Sequence, residues 1–96
     1  MLIKNAKNQL DYDGLKTSLL VSNETGKVIL ISLEKGAILK KHVSDTDANI
    51  LIVEGKIIFE INNEKHTMVE GDLFYFQKNE IHELTAVENS KVILSK

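Results

Sequence analysis

Apolar residues arrive in this chain in short bursts, each closed by turn-forming residues, and that rhythm is what most limits the fold. Residues 17–22, 27–33, 48–53, 56–61, 65–69, 72–77, 82–87 and 91–94 are each about one strand long. Between them stand Asn23-Glu24-Thr25-Gly26, Glu54-Gly55 and Asn62-Asn63-Glu64, residue types that favour tight turns. Val, Ile, Phe and Tyr fill the runs, as pleated, half-buried surfaces prefer. Short strands punctuated this regularly predict an all-β sandwich or barrel. Only residues 6–15, near the N-terminus, offer helical material.

Glu54-Gly55 predicts the tightest unit, a hairpin in which Val53 faces Lys56, Ile52 faces Ile57 and Ala48 faces Ile61. Side chains alternate between the faces of a strand. Ala48, Ile50, Ile52, Ile57, Phe59 and Ile61 then share an apolar face, which is the expected interior. The other face keeps Leu51, Val53 and Ile58 beside Glu60, so a second sheet or a partner subunit is expected to cover it. Leu73-Phe74-Tyr75-Phe76 is apolar on both faces and supports the same expectation.

Ninety-six residues make one domain, 1–96. So small a domain buries a modest share of its surface, and pairing with a second copy would help it. Residues 1–15 form an N-terminal extension that could join such a homodimer contact. All twelve basic residues are Lys and the net charge is −2. Without Arg or a basic cluster, no nucleic-acid partner is expected. No Cys is present, which excludes disulfides, thiolate metal sites and Cys nucleophiles. The N-terminus has no apolar core of a signal peptide. No apolar run approaches the roughly 20 residues of a membrane helix. The expectation is a cytoplasmic protein without a membrane partner.

Two segments carry most of the remaining information. One runs from Gly36 through His42, Ser44 and Ala48 to Gly55; the other runs from Gly71-Asp72 through Gln77 and Asn79 to His82. They resemble the two signature motifs of the cupin superfamily, with Gly36, His42, Gly55, Gly71 and His82 on the motif spacing. The resemblance implies a small double-sheet jelly-roll barrel, often dimeric. In metal-binding cupins two His and a Glu of the first motif join the His of the second. Here the second His is Ser44, and the Glu position holds Ala48, or Asn49 one residue later. The Pro and Gly of the second motif are Gln77 and Asn79, and its final Asn is Ala86.

Only His42 and His82 are left of the metal set. Catalytic metal sites usually keep three protein ligands or more. The resemblance therefore implies an incomplete site, in which the two histidines could take a divalent transition metal only weakly. Strand alternation that turns Ala48 inward turns Asn49 outward. The bland alternative is that both histidines are satisfied barrel residues. His66, beside a turn, reads as a surface residue. Asp45-Thr46-Asp47 fails as a calcium loop because Ile50 stands where that loop needs Gly.

Two kinds of function follow. One is a binding module: apolar walls with a few convergent polar groups suit a small organic ligand. Its expected pocket is His42, His82, Ser44, Ile50 and Phe59, with Tyr75 and Gln77 if they face inward. The other is an enzyme, either a metal-dependent oxygenase or isomerase with a non-standard site, or an acid–base catalyst using His82 or His42. An imidazole titrating near 6.5 suits such work. A third reading, a structural or protein-interacting subunit, would make the apolar second face the important surface.

Overall fold

The structure, a computed structural model, describes residues 1–96. Nine strands follow a single 3-10 turn at Ala6–Asn8. They are β1 (Leu15–Asn23), β2 (Gly26–Leu33), β3 (Ile38–His42), β4 (Ala48–Glu54), β5 (Lys56–Ile61), β6 (Glu64–Val69), β7 (Leu73–Phe76), β8 (His82–Ala86) and β9 (Ser90–Ser95). One sheet has the order β1-β2-β9-β4-β7 and the other β3-β8-β5-β6. All pairings are antiparallel. The two sheets close over one interior, a jelly-roll arrangement with polar and loop residues outside. No helix is long and apolar enough to cross a membrane.

The interior is built as the alternation predicts. Ala48, Ile50 and Ile52 from β4 meet Ile57, Phe59 and Ile61 from β5, all buried in one cluster of 13 apolar residues. Phe59, 1% exposed, is the largest of its fully buried members. Truncating such a ring typically costs about 3–5 kcal/mol.

The expected hairpin is not formed. β4 pairs with β7 and β9, while β5 pairs with β6 and β8. Glu54-Gly55 therefore carries the chain from one sheet to the other. Both strands still point the same side chains inward because the interior lies between the sheets. Gly55 has φ +87°, and a Cβ there would sit 2.2 Å from the Asn89 carbonyl oxygen. Ser90 Oγ closes the crossover by accepting from Lys56 N–H at 3.0 Å.

Two further differences concern the ends of the chain segments. β3 was not expected as a strand, and the N-terminal helical material amounts to one 3-10 turn. The N-terminal segment instead lies over the outer face of the five-stranded sheet. Lys91, 2% exposed, donates from Nζ to the carbonyls of Lys7 and Leu10 at 2.7 and 2.5 Å. Its ammonium also stands 4.7 Å from the centre of the Tyr12 ring. Ser32 Oγ donates to the Asp11 carbonyl, and Tyr12 donates its hydroxyl to Glu54. The outer face of the five-stranded sheet is thus covered in part, around Ser32, Glu54 and Lys91, by the chain's own N-terminus. Leu73 and Tyr75 remain 64% and 56% exposed at the other side of that sheet.

Candidate functional site

A bulge places the first histidine. In the β3–β8 ladder Leu39 pairs with Leu84 and His42 with His82, so β3 fits one extra residue between the two pairs. Leu39 faces the interior. Strict alternation would turn residue 41 inward next. The bulge leaves Lys40 and Lys41 both exposed and hands the inward position to His42. His82, the first residue of β8, sits across from it.

The two rings are held by matching contacts. His42 Nδ1 lies 2.8 Å from the carbonyl of Lys40, and His82 Nδ1 lies 2.9 Å from the carbonyl of Glu80. A carbonyl only accepts, so each Nδ1 carries the proton. Each neutral ring then has its lone pair at Nε2, and the two Nε2 atoms are 3.0 Å apart. That contact becomes a hydrogen bond only if one ring takes up an additional proton. Otherwise two acceptors converge on one point, and the pair is poised to receive a donor or a cation between them.

Burial separates the rings. His42 is exposed and His82 is 5% exposed, packed against Phe76 with ring centroids 4.5 Å apart. Burial pushes the His82 pKa below its ordinary value. The Glu80 carbonyl opposes this shift, and His42 adds to it.

A cavity of about 20 Å³ lies behind the pair, walled by Ile50, Phe59, Phe76 and Leu84 among others. That is room for about one water molecule, far below the roughly 300 Å³ at which organic-ligand pockets begin. Side chains therefore fill the interior behind the pair, and an organic ligand has no ready-made space there. The larger concavity at this end, about 410 Å³, lies outside and is lined mostly by polar and charged residues, with Lys41, Glu60, Asn62, Glu80 and Glu83 among them and His82 shared with the inner cavity.

Of the residues expected at the pocket, His42, His82, Ile50 and Phe59 do come together. Ser44 is buried nearby, but its Oγ accepts from Thr46 N–H and does not line that cavity. Tyr75 and Gln77 do not face inward. Phe74 and Phe76 take the inner positions of β7, so Tyr75 projects outward and donates its hydroxyl to Asp47 at 2.9 Å. Gln77 has the same outward parity and is exposed.

The metal set is also short of ligands. No three His, Cys, Asp or Glu side chains converge anywhere in the chain. The Nδ1–carbonyl contacts are those that usually orient metal-bound imidazoles. Yet two neutral nitrogens alone do not make the three-ligand set of a catalytic metal.

Sequence reasoning missed Glu80 and Asn62 and set Asp47 aside with a failed calcium loop; all three tie the loops around the pair. Asn62 donates to Glu80 Oε1 and Gln77 N–H donates to Oε2, both at 2.8 Å; in that order of importance they hold the Glu80 carboxyl below its ordinary range. Asp47 accepts from Lys78 N–H at 3.0 Å and from Tyr75, and its carboxyl is held low in the same way. Only the turn character of Asn62 and Asn79, both at positive φ, hinted at these loops.

Fold and site together define a small double-sheet barrel with a histidine pair facing its interior at one end, and this architecture has known relatives. The sequence profile described as Cupin domain matches residues 29–94, and the chain belongs to that family. A pectin degradation protein, KdgF, from Dickeya dadantii (strain 3937) is 28% identical over 83 residues, covering 85% of this chain and 76% of that protein. An RmlC-like cupin protein from Desulfovibrio desulfuricans superposes with a TM-score of 0.89 at 20% identity, covering 99% of this chain and 94% of that one. KdgF from Halomonas sp. gives 0.79 at 19% identity, covering 97% and 88%. The structural likenesses establish the shared fold.

Proposed function

We propose that this cupin binds a small, hydroxyl-bearing organic ligand at the His42–His82 end of the barrel. The observation that carries the reading is the convergence of two Nε2 lone pairs, 3.0 Å apart, with both Nδ1–H groups already used on carbonyls. In the neutral state the pair offers acceptors and no donor, so it suits a ligand that presents an O–H or N–H. Exposed His42 is the point of approach, while the filled interior keeps the body of the ligand at the mouth. The name of the Dickeya dadantii relative points to sugars released from pectin, a polymer of uronic acids, as the first ligands to try.

The test is an amide NMR titration of metal-free protein with galacturonate, galactose and a polyol lacking a ring. Saturable shifts centred on His42 and residues 80–82 support the reading. Shifts absent from those residues at millimolar sugar sink it.

The same two lone pairs favour a second reading, a divalent metal held by His42 and His82 with the substrate completing its coordination. Such a group would supply Lewis acidity to an isomerase or oxygenase. Elemental analysis of protein purified without added metal separates the readings. One metal per chain, lost on replacing both histidines, supports the second.

A further inference from the structure

The turn between β7 and β8 lies at the surface, yet four of its five backbone donors, those of residues 77–80, are spoken for. Gln77 N–H donates to Glu80 Oε2 at 2.8 Å, Lys78 N–H to Asp47 Oδ1 at 3.0 Å, and Asn79 N–H to the Ser44 carbonyl at 2.9 Å. Glu80 N–H points back to the Gln77 carbonyl at 3.4 Å. Order here therefore comes from hydrogen bonds, since little apolar burial is available. Glu80 is where these restraints meet. One carboxylate oxygen closes the turn from within, and the other accepts from Asn62 on the β5–β6 turn at 2.8 Å. Its own carbonyl then receives the His82 Nδ1 proton at 2.9 Å.

We propose that Glu80 is the positioning residue of the histidine pair: its carboxylate locks the β7–β8 turn so that its carbonyl holds His82 in the Nδ1–H tautomer, with Nε2 aimed at His42. The inference builds on the reading of His42 and His82 as the site. The ordinary role of a half-buried surface carboxylate is to face water, and Glu83, nearby on β8 and half-buried like Glu80, makes no side-chain hydrogen bond or ion pair of this kind. Glu80 differs because both of its oxygens and its carbonyl are engaged in one small structure. Asp47 supports it from the other side. That residue follows His42 in the β3–β4 loop, so its bond to Lys78 N–H joins the loop leaving one histidine to the turn entering the other.

The test reads the tautomer directly and needs no ligand. Long-range 1H–15N spectra of the imidazoles are recorded at mildly alkaline pH, where neutral rings predominate. In the wild-type chain His82 is expected to show a pyrrole-type shift at Nδ1 and a pyridine-type shift at Nε2. Glu80→Ala is expected to move both signals toward a mixture that includes the Nε2–H tautomer. Asn62→Ala, which removes one of the two carboxylate contacts, is expected to move them less in the same direction. Glu83→Ala is the charge control and should leave them in place. If Glu80→Ala is folded and keeps the wild-type ring shifts, the proposal is overturned. If it does not fold, unchanged shifts in Asn62→Ala overturn it instead. Equal movement in Glu83→Ala also overturns it, because the effect would then be one of charge. A chain that binds no sugar could still pass, so this proposal and the ligand reading fail independently.

Discussion

His42 and His82 are held by one device used twice: each Nδ1–H reaches the carbonyl two residues back in its own strand or turn, at 2.8 and 2.9 Å. The two Nε2 atoms are thereby brought to 3.0 Å. Because one ring is exposed and the other buried, the same chemical change should have different consequences at each. His42→Ala removes an exposed ring and relieves the facing of two lone pairs. Its unfolding free energy should stay within about 0.5 kcal/mol of wild type. His82→Ala opens space against Phe59 and Phe76 and should lose about 2 kcal/mol. Both should abolish ligand-induced shifts at the pair. Urea denaturation beside the sugar titration checks the two halves, and a stability loss in His42→Ala as large as that in His82→Ala would contradict the burial argument.

The depressed pKa of His82 fixes the sign of a pH effect. Burial lowers its folded pKa below its unfolded value, so the unfolded chain binds the proton more readily. Stability attributable to His82 is full above about pH 6.5 and is lost as pH falls from there through the lower folded value. The urea midpoint should decline across that window in wild type. The decline should be shallower in His82→Ala, which lacks the group. A midpoint that rises on acidification over the same window would show that the pair takes up a proton on folding, with the Nε2 atoms sharing it.

Gly55 makes the crossover between sheets possible, and its replacement should be costly. It combines φ +87° with a space where a Cβ would meet the Asn89 carbonyl oxygen at 2.2 Å and Ser90 Oγ at 2.4 Å. Gly55→Ala should cost at least about 2 kcal/mol, the sum of an unfavourable backbone region and a backbone clash. Gly36→Ala is a useful comparison, since φ is also +87° there but nothing lies within 4 Å of a Cβ. Thermal unfolding of the pair should show the larger loss at Gly55. Equal losses would mean that the backbone angle alone matters.

The contrast at Gly55 also shows what the sequence could and could not reveal. The inward set from Ala48 to Ile61 was legible, because period-two alternation names the buried face whichever sheet a strand joins. Which strands pair was not legible there. A short turn between two apolar runs looks the same whether the chain folds back or crosses over. β3 was hidden by its bulge, which sets Lys40 and Lys41 side by side and breaks the alternation. Tyr75 and Gln77 were ambiguous because Leu73-Phe74-Tyr75-Phe76 is apolar on both faces. The spacing of His42 and His82 brought both histidines to one point. The part played by Glu80 was invisible, since it is exerted through a turn and a backbone carbonyl.

Lys91 offers a test of how the N-terminal segment is fastened. Its buried ammonium spans the Lys7 and Leu10 carbonyls and faces the Tyr12 ring, while Tyr12 and Lys7 both contact Glu54. The Glu54 carboxyl is held below its ordinary pKa, first by the Tyr12 hydroxyl and then by Lys7. Lys91→Met keeps an apolar stem but leaves the carbonyls without their charged donor. A hydrogen bond to a charged group contributes about 2 kcal/mol, roughly thirtyfold in an opening equilibrium. Amide exchange over residues 5–14 should quicken by about that factor, while amides of β5 and β8 stay protected. Acid should act on the same fastening. Glu54 stabilises it above the ordinary carboxylate range, and that contribution is lost as pH falls through the lowered folded pKa. Uniform acceleration across all nine strands in Lys91→Met would show instead that the segment and the barrel open together as one cooperative unit.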